Sequence, residues 1–194
     1  GFVLSEGAGI MVIETLDHAL QRQASIYGEL LGHASSSDAY HVAAPDPQAA
    51  GAVRAMRWAL ADAGVDTTQV DYINAHGTGT PVNDASETFA IKKLFGEYAY
   101  EIPVSSSKSV LGHAMGGTGA IEAIFSLLAI AENMIPPTWN YETADPECDL
   151  DYVPNAPRPG TPAVALSNSF GLGGQNACLV LGRYGQNGRS PGQK

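Results

Sequence analysis

The sequence is short of cysteine, of positive charge and of long apolar runs, and each shortage closes off a class of function. Its 194 residues hold two cysteines, too few for a disulfide framework. Cys178 stands in the apolar run Ala177-Cys178-Leu179-Val180-Leu181 and reads as a small core residue. Cys148 stands beside Asp145, Glu147 and Asp149, whose carboxylates disfavour a thiolate. Neither thiol, and no serine, has the setting of a nucleophile. Two unpaired thiols fit a reducing compartment, so cytoplasm, or an organelle stroma or matrix, is the expected location.

Ten Lys and Arg stand against twenty Asp and Glu, a formal net charge of -10, and the ten are scattered. Nucleic acid and anionic membrane surfaces want clustered cations, so neither is an expected partner. No segment reaches the roughly 18 apolar residues of a membrane span. The longest, residues 120–131, is interrupted by Glu122 and reads as a buried helix. No signal peptide is expected, and the chain opens inside strand-like sequence without an initiator methionine; it reads as the continuation of a longer one. There is no Gly-x-x-x-x-Gly-Lys, no strand-linked Gly-x-Gly-x-x-Gly and no close His/Cys spacing, so no nucleotide and no metal is expected.

A hydrophobic content of 44% is enough for one sizeable core. Residues 1–186 are expected to form one unit and the polar residues 187–194 a flexible tail. Residues 2–4 and 9–14 read as two strands in a hairpin-like pair, 17–23 as a short helix capped by Thr15 or Asp17, and 27–32 as a strand followed by an irregular loop, 34–48. Val53, Met56, Ala59 and Leu60 have helical spacing and predict a helix over 49–63, ended by Gly64. Strands over 70–75, 102–106, 163–167 and 177–184 alternate with helices over 84–95 and 119–133. That order argues an α/β layered fold, helices over a mixed sheet.

Three glycine-rich loops follow strand-like runs, where α/β sheets place their ligands. They are His76-Gly77-Thr78-Gly79-Thr80-Pro81, the run Ser107-Lys108-Ser109 with Gly112-His113 and Gly116, and Asn168-Ser169-Phe170-Gly171-Leu172-Gly173-Gly174. Glycine lets the backbone turn sharply and hold an imidazole beside a reacting carbonyl with little bulk around it. Three such loops suggest one active site. A lone histidine beside glycine is more often structural than catalytic; here the paired motifs favour catalysis for His76 and His113. His18, His33 and His41 lack such support.

In this order the motifs resemble the β-ketoacyl-acyl carrier protein synthases, the elongating class II type of fatty acid synthesis most of all. The resemblance runs from Gly1 to about Tyr184, and residues 1–9 resemble the family's Gly-Phe-Val-x-Gly-Glu-Gly-Ala-Gly run, with Ser5 in place of a glycine. It implies a thiolase-like fold of two βαβαβαββ halves, of which this chain would hold the last strands of the first and all of the second. The family's nucleophilic cysteine would lie upstream, so this portion alone would be inactive in condensation.

The resemblance implies an acyltransferase: acyl transfer to cysteine, decarboxylation of malonyl-acyl carrier protein, and Claisen attack on the acyl thioester. His76 and His113 would donate N–H groups to thioester oxygens, and one would also polarise the thiol; the sequence leaves open which. Lys108 would pair with Glu122 and position the histidine loops. Asp84 would support His76 or cap the following helix, or both. Phe170, Gly171, Leu172 and Gly173 would form the gate and help build the oxyanion site, with Leu172 where the family has a second aromatic and Gln175 in place of a threonine. No cofactor is implied, since substrates arrive on the phosphopantetheine of acyl carrier protein. Implied partners are that carrier, the amino-terminal half and, for the complete enzyme, a second copy. A polyketide ketosynthase of the same fold and a non-catalytic chain-length subunit are the alternatives.

Overall fold

In two strands near the end of the chain, every second side chain faces the same way, and the rest of the fold follows from what covers the two faces. A computed structural model describes residues 1–185; the expected tail at 187–194 lies outside the described residues. Elements run α1 (Leu16–Gln21), β1 (Glu29–Ser37), α2 (Ala50–Ala63), β2 (Tyr72–Asn74), α3 (Pro81–Phe95), β3 (Val104–Ser105), α4 (Lys108–Leu111), α5 (Thr118–Glu132), β4 (Met134–Ile135), β5 (Arg158–Pro159), β6 (Val164–Gly171) and β7 (Gln175–Gly182). Cys178 and Val180 of β7 and Val164 and Leu166 of β6 face one core, with Met56 and Leu60 of α2 and Ile91 of α3. Leu181, Ala165 and Tyr72 face the other, with Ala123 and Ile130 of α5. Helices thus cover both faces of the sheet.

The five-stranded sheet has the order β1-β7-β6-β2-β3. β7 is antiparallel to both neighbours, while β6, β2 and β3 are mutually parallel. The residues that follow β2 and β3 and those that end β6 therefore leave the sheet at one edge, which is what gathers the three glycine-rich motifs. A small second sheet pairs β4 with β5.

Several boundaries differ from the sequence reading, each for a physical reason. β1 continues through Ser37, because its small polar residues sit at the sheet's edge, where half-exposed positions tolerate serine. α3 starts at Pro81: Thr80 caps it by accepting from Asn83 N–H, and proline is well suited to a first turn. Asp84 is therefore a first-turn residue and not the cap. The third motif is mostly strand. Residues 168–171 end β6, and only Leu172, Gly173 and Gly174 turn the hairpin, both glycines at positive φ. Residues 2–4 and 9–14 form no hairpin. They make one bridge, Leu4 to His113, and leave Val3, Ile10 and Val12 exposed.

The helical stretch Met115–Glu132 is long and apolar enough, by length and composition alone, to cross a bilayer. The sequence reading finds no run of that length, because Glu122 interrupts it; that carboxylate is buried in an ion pair with Lys108, and Ala123, Ala129 and Ile130 pack on the sheet.

Candidate active site

β2 ends at Asn74, and three residues later the chain turns through Gly77 at φ 39°. A Cβ on Gly77 would stand 2.6 Å from the Ser106 Cβ, so only glycine lets this turn lie against the segment after β3. The Ser106 hydroxyl donates to the Gly77 carbonyl at 2.6 Å. Below the turn, the buried carboxylate of Glu87 on α3 accepts N–H from His76 and from Gly77, each at 2.9 Å. It also accepts from the Asn168 side chain at 3.2 Å, which ties β6 to the same anchor. Glu87 was not among the residues expected to matter. Its signal was its place one turn before Ile91, on the buried face of α3.

His113 follows α4 through Gly112. Its Nδ1 accepts N–H from Met115 at 3.2 Å and lies 3.1 Å from the Thr118 hydroxyl. A nitrogen that accepts a backbone N–H carries no proton of its own, so the neutral ring holds its proton on Nε2. Met115 reaches this position at φ 51°, a left-handed conformation rare for a long side chain. His76 Nδ1 is buried with no hydrogen-bond partner among the described residues, so no such bond sets its tautomer.

The two imidazoles meet edge to face, centroids 5.4 Å apart at 83°. Phe170 flanks His76 at 5.8 Å. Burial lowers the His76 pKa to about 3, helped by the charges of Lys108 and His113, and burial followed by Lys108 lowers that of His113. Both rings are therefore neutral at pH 7. Lys108 Nζ donates to Glu122, and both side chains are almost wholly buried. Burial pushes the Glu122 pKa up to about 7 against the pull of Lys108, and it raises Glu87 against the N–H groups bonded to it. The arrangement sets two neutral N–H donors beside a fixed ammonium, suited to oxygens that gain negative charge.

A cavity of about 580 Å³ opens here, lined by Gly77, Thr78, Lys108 and His113 among others. Asp84 also lines it, and accepts from Gly79 N–H at 3.3 Å, so it braces the His76 turn. Leu172 sits apart: it is 71% exposed at the hairpin tip. Gly173 N–H donates to the Val42 carbonyl, and Asp38 N–H to the Gly174 carbonyl, both at 2.8 Å, which latches the turn onto the β1–α2 connection. The structure thus gathers His76, His113, Lys108, Glu122, Asp84 and Phe170, with Gly171 next to Phe170 at the end of β6, and leaves Leu172 and Gly173 at the hairpin turn outside the group.

A mixed five-stranded sheet between helices, with two histidine turns at one edge, defines the thiolase-like ketosynthase class. Residues 27–142 match the β-ketoacyl synthase C-terminal domain, and the chain belongs to the β-ketoacyl synthase family. It is 55% identical over 184 residues to 3-oxoacyl-[acyl-carrier-protein] synthase 2 of Synechocystis sp., covering 95% of this chain and 44% of that protein. The namesake from Coxiella burnetii is 52% identical over 183 residues, covering 94% and 44%. Among solved structures, the ishigamide ketosynthase/chain length factor superposes with a TM-score of 0.92 at 44% identity, over 95% of this chain and 45% of that one. A type II polyketide ketosynthase in complex with its acyl-carrier protein gives 0.86 at 41% identity, over 88% and 42%. The chain thus spans less than half the length of the relatives it matches.

Proposed function

We propose that this chain supplies the histidine half of the active site for decarboxylative Claisen condensation in fatty acid elongation. The carrying observation is the pair of neutral imidazoles 5.4 Å apart beside Lys108. In this reading a malonyl thioester on acyl carrier protein enters the cavity and its carbonyl oxygen accepts N–H from the imidazoles. The bond to the carboxylate breaks, carbon dioxide leaves, and the electron pair forms an enolate whose oxygen charge those N–H groups stabilise. The enolate carbon then attacks an acyl thioester on a cysteine supplied by an amino-terminal half. A carbon–carbon bond forms, the carbon–sulfur bond breaks, and thiolate departs. A protonated imidazole would also donate, but its charge would cost far more to bury, so depressed pKa values suit the task.

Lys108 and Glu122, joined by a buried hydrogen bond, stand behind the histidines, Asp84 and Glu87 brace the His76 turn, and Phe170 walls the site. Gly171 and Gly173 give the hairpin its reach, and Leu172 serves as the gate, moving inward when the backbone bonds to Val42 and Asp38 open. The chemistry needs no cofactor beyond the carrier's phosphopantetheine. The partners are acyl carrier protein, the cysteine-bearing half and, in the complete enzyme, a second copy, in cytoplasm or an organelle stroma or matrix. A polyketide ketosynthase is the second reading, favoured by the 0.92 superposition on the ishigamide ketosynthase/chain length factor. The two histidines and Lys108 argue against a non-catalytic chain-length subunit, which has no chemical need of them.

The test is a hybrid in which residues 1–184 replace the matching part of the Synechocystis sp. relative. His76→Ala and His113→Ala should each lower condensation by about 10²–10³-fold, the typical loss for one oxyanion donor. Full turnover by either variant would refute the reading.

A further inference from the structure

The run Gly1-Phe2-Val3-Leu4-Ser5-Glu6-Gly7-Ala8-Gly9 joins no strand of the main sheet; Gly1, Phe2 and Val3 line the cavity without a role in the steps above, and the run grips His113 from both sides. His113 N–H donates to the Val3 carbonyl at 2.7 Å, and Ser5 N–H donates to the His113 carbonyl at 3.1 Å. Both peptide groups flanking His113 are thereby fixed. The Phe2 ring lies 5.0 Å from the imidazole, at 62°.

The grip depends on glycines at the points of closest approach. Gly112 has φ 74°, and a Cβ there would stand 2.9 Å from both the Val3 carbonyl oxygen and the Ser5 Cβ. Farther along, a Cβ on Gly117 would stand 2.7 Å from the Gly7 carbonyl oxygen, and one on Gly9 2.9 Å from the backbone of Ala120. Backbone lies on backbone at three successive places, so the run is seated along the start of α5 and not merely draped over it. Where the resembling family has glycine, Ser5 stands with its Cβ 2.9 Å from the place a Gly112 Cβ would take.

We propose that residues 2–5 are a positioning strap for His113: Val3 and Ser5 fix its peptide planes, and Phe2 fixes its ring. The Met115 N–H sets which nitrogen carries the proton, but a ring bonded only through Nδ1 still shifts with its backbone. The strap removes that freedom. It rests on the reading that His113 serves the thioester, where a misplacement of about 1 Å costs on the order of 100-fold in rate.

The test is ¹⁵N NMR of the imidazoles in the labelled chain, with Phe2→Ala, Phe2→Tyr and Gly112→Ala. The wild type should show His113 in one tautomer, protonated on Nε2. By letting the ring drift off the Met115 N–H, Phe2→Ala and Gly112→Ala should give averaged His113 ring shifts with those of His76 unchanged, and Phe2→Tyr should keep the wild-type pattern. In the hybrid synthase the first two variants should lower kcat by roughly 10- to 100-fold with KM held. Wild-type His113 shifts in both Phe2→Ala and Gly112→Ala would overturn the strap. If Gly112→Ala fails to fold, Phe2→Ala decides alone, since it removes a ring that is 44% exposed and belongs to neither core. Should His113→Ala leave the hybrid active, the functional reading falls while the ring shifts still judge the strap.

Discussion

His76 is held where a charged imidazole is costly, and that cost makes it measurable. Its folded-state pKa is about 3 against 6.5 for the free side chain. Between those values the unfolded chain binds more protons, so the stability His76 contributes is full above about 6.5 and is lost as pH falls. From pH 7 to pH 5 the loss is about 2 kcal/mol. Glu122 works in the opposite sense: its pKa is raised from 4.5 to about 7, so its contribution is lost as pH rises through that window. Urea denaturation at pH 7 and pH 5 should therefore show the wild type losing about 2 kcal/mol more than His76→Ala, a difference that cancels the carboxylates. Equal losses would mean that His76 titrates normally. Glu87 gives a second prediction at this scale. It accepts N–H from His76, Gly77 and Asn168, and an amide nitrogen in its place cannot accept. Glu87→Gln should lower stability by about 1–3 kcal/mol and reduce turnover of the hybrid. An unchanged melting temperature would remove its anchoring role. The histidines were legible because each stands in a dense glycine motif. Glu87 was not, because a carboxylate inside a helix reads as solvent-facing until the fold buries it.

Among the elements, α2 was the most legible: its apolar spacing and terminal Gly64 fix both face and end, and Gly64 takes the left-handed conformation that stops the helix. β1 was half legible, because Ser35, Ser36 and Ser37 look like loop and become strand only by pairing with Ala177, Asn176 and Gln175. The third motif misled for a related reason. Its glycines mark a tight hairpin turn, and the long loop they suggest is paired strand. How closely α2 lies on β1 depends on Gly32, where a Cβ would meet Ala63 N at 2.5 Å and the Ala59 carbonyl oxygen at 2.7 Å. Gly32→Ala must push helix and strand apart, so urea denaturation should show a loss of about 1–3 kcal/mol or more. A neutral result would mean that α2 is not seated as described. The amino-terminal run was read as a hairpin because its apolar residues suit strands. Its partners are instead the backbone at His113 and the first turn of α5, and no periodicity in sequence announces such a seat.

Over the whole molecule, the parallel run of β6, β2 and β3 delivers three separate stretches of chain to one sheet edge, and the site exists only where they meet. The α/β layered class followed from the order of strands and helices in the sequence; the strand order, and the edge-to-face meeting of two rings 37 residues apart, 113 less 76, did not. If both imidazoles act on one developing oxyanion, they form a single functional unit, and losses within such a unit do not add. The measurement that tests this most directly is malonyl-acyl carrier protein decarboxylation by the hybrid synthase carrying His76→Ala, His113→Ala and both together. One shared site predicts that the double variant is little slower than the slower single variant. A double variant slowed by the product of the two single losses would place the histidines in separate, independent roles and contradict it.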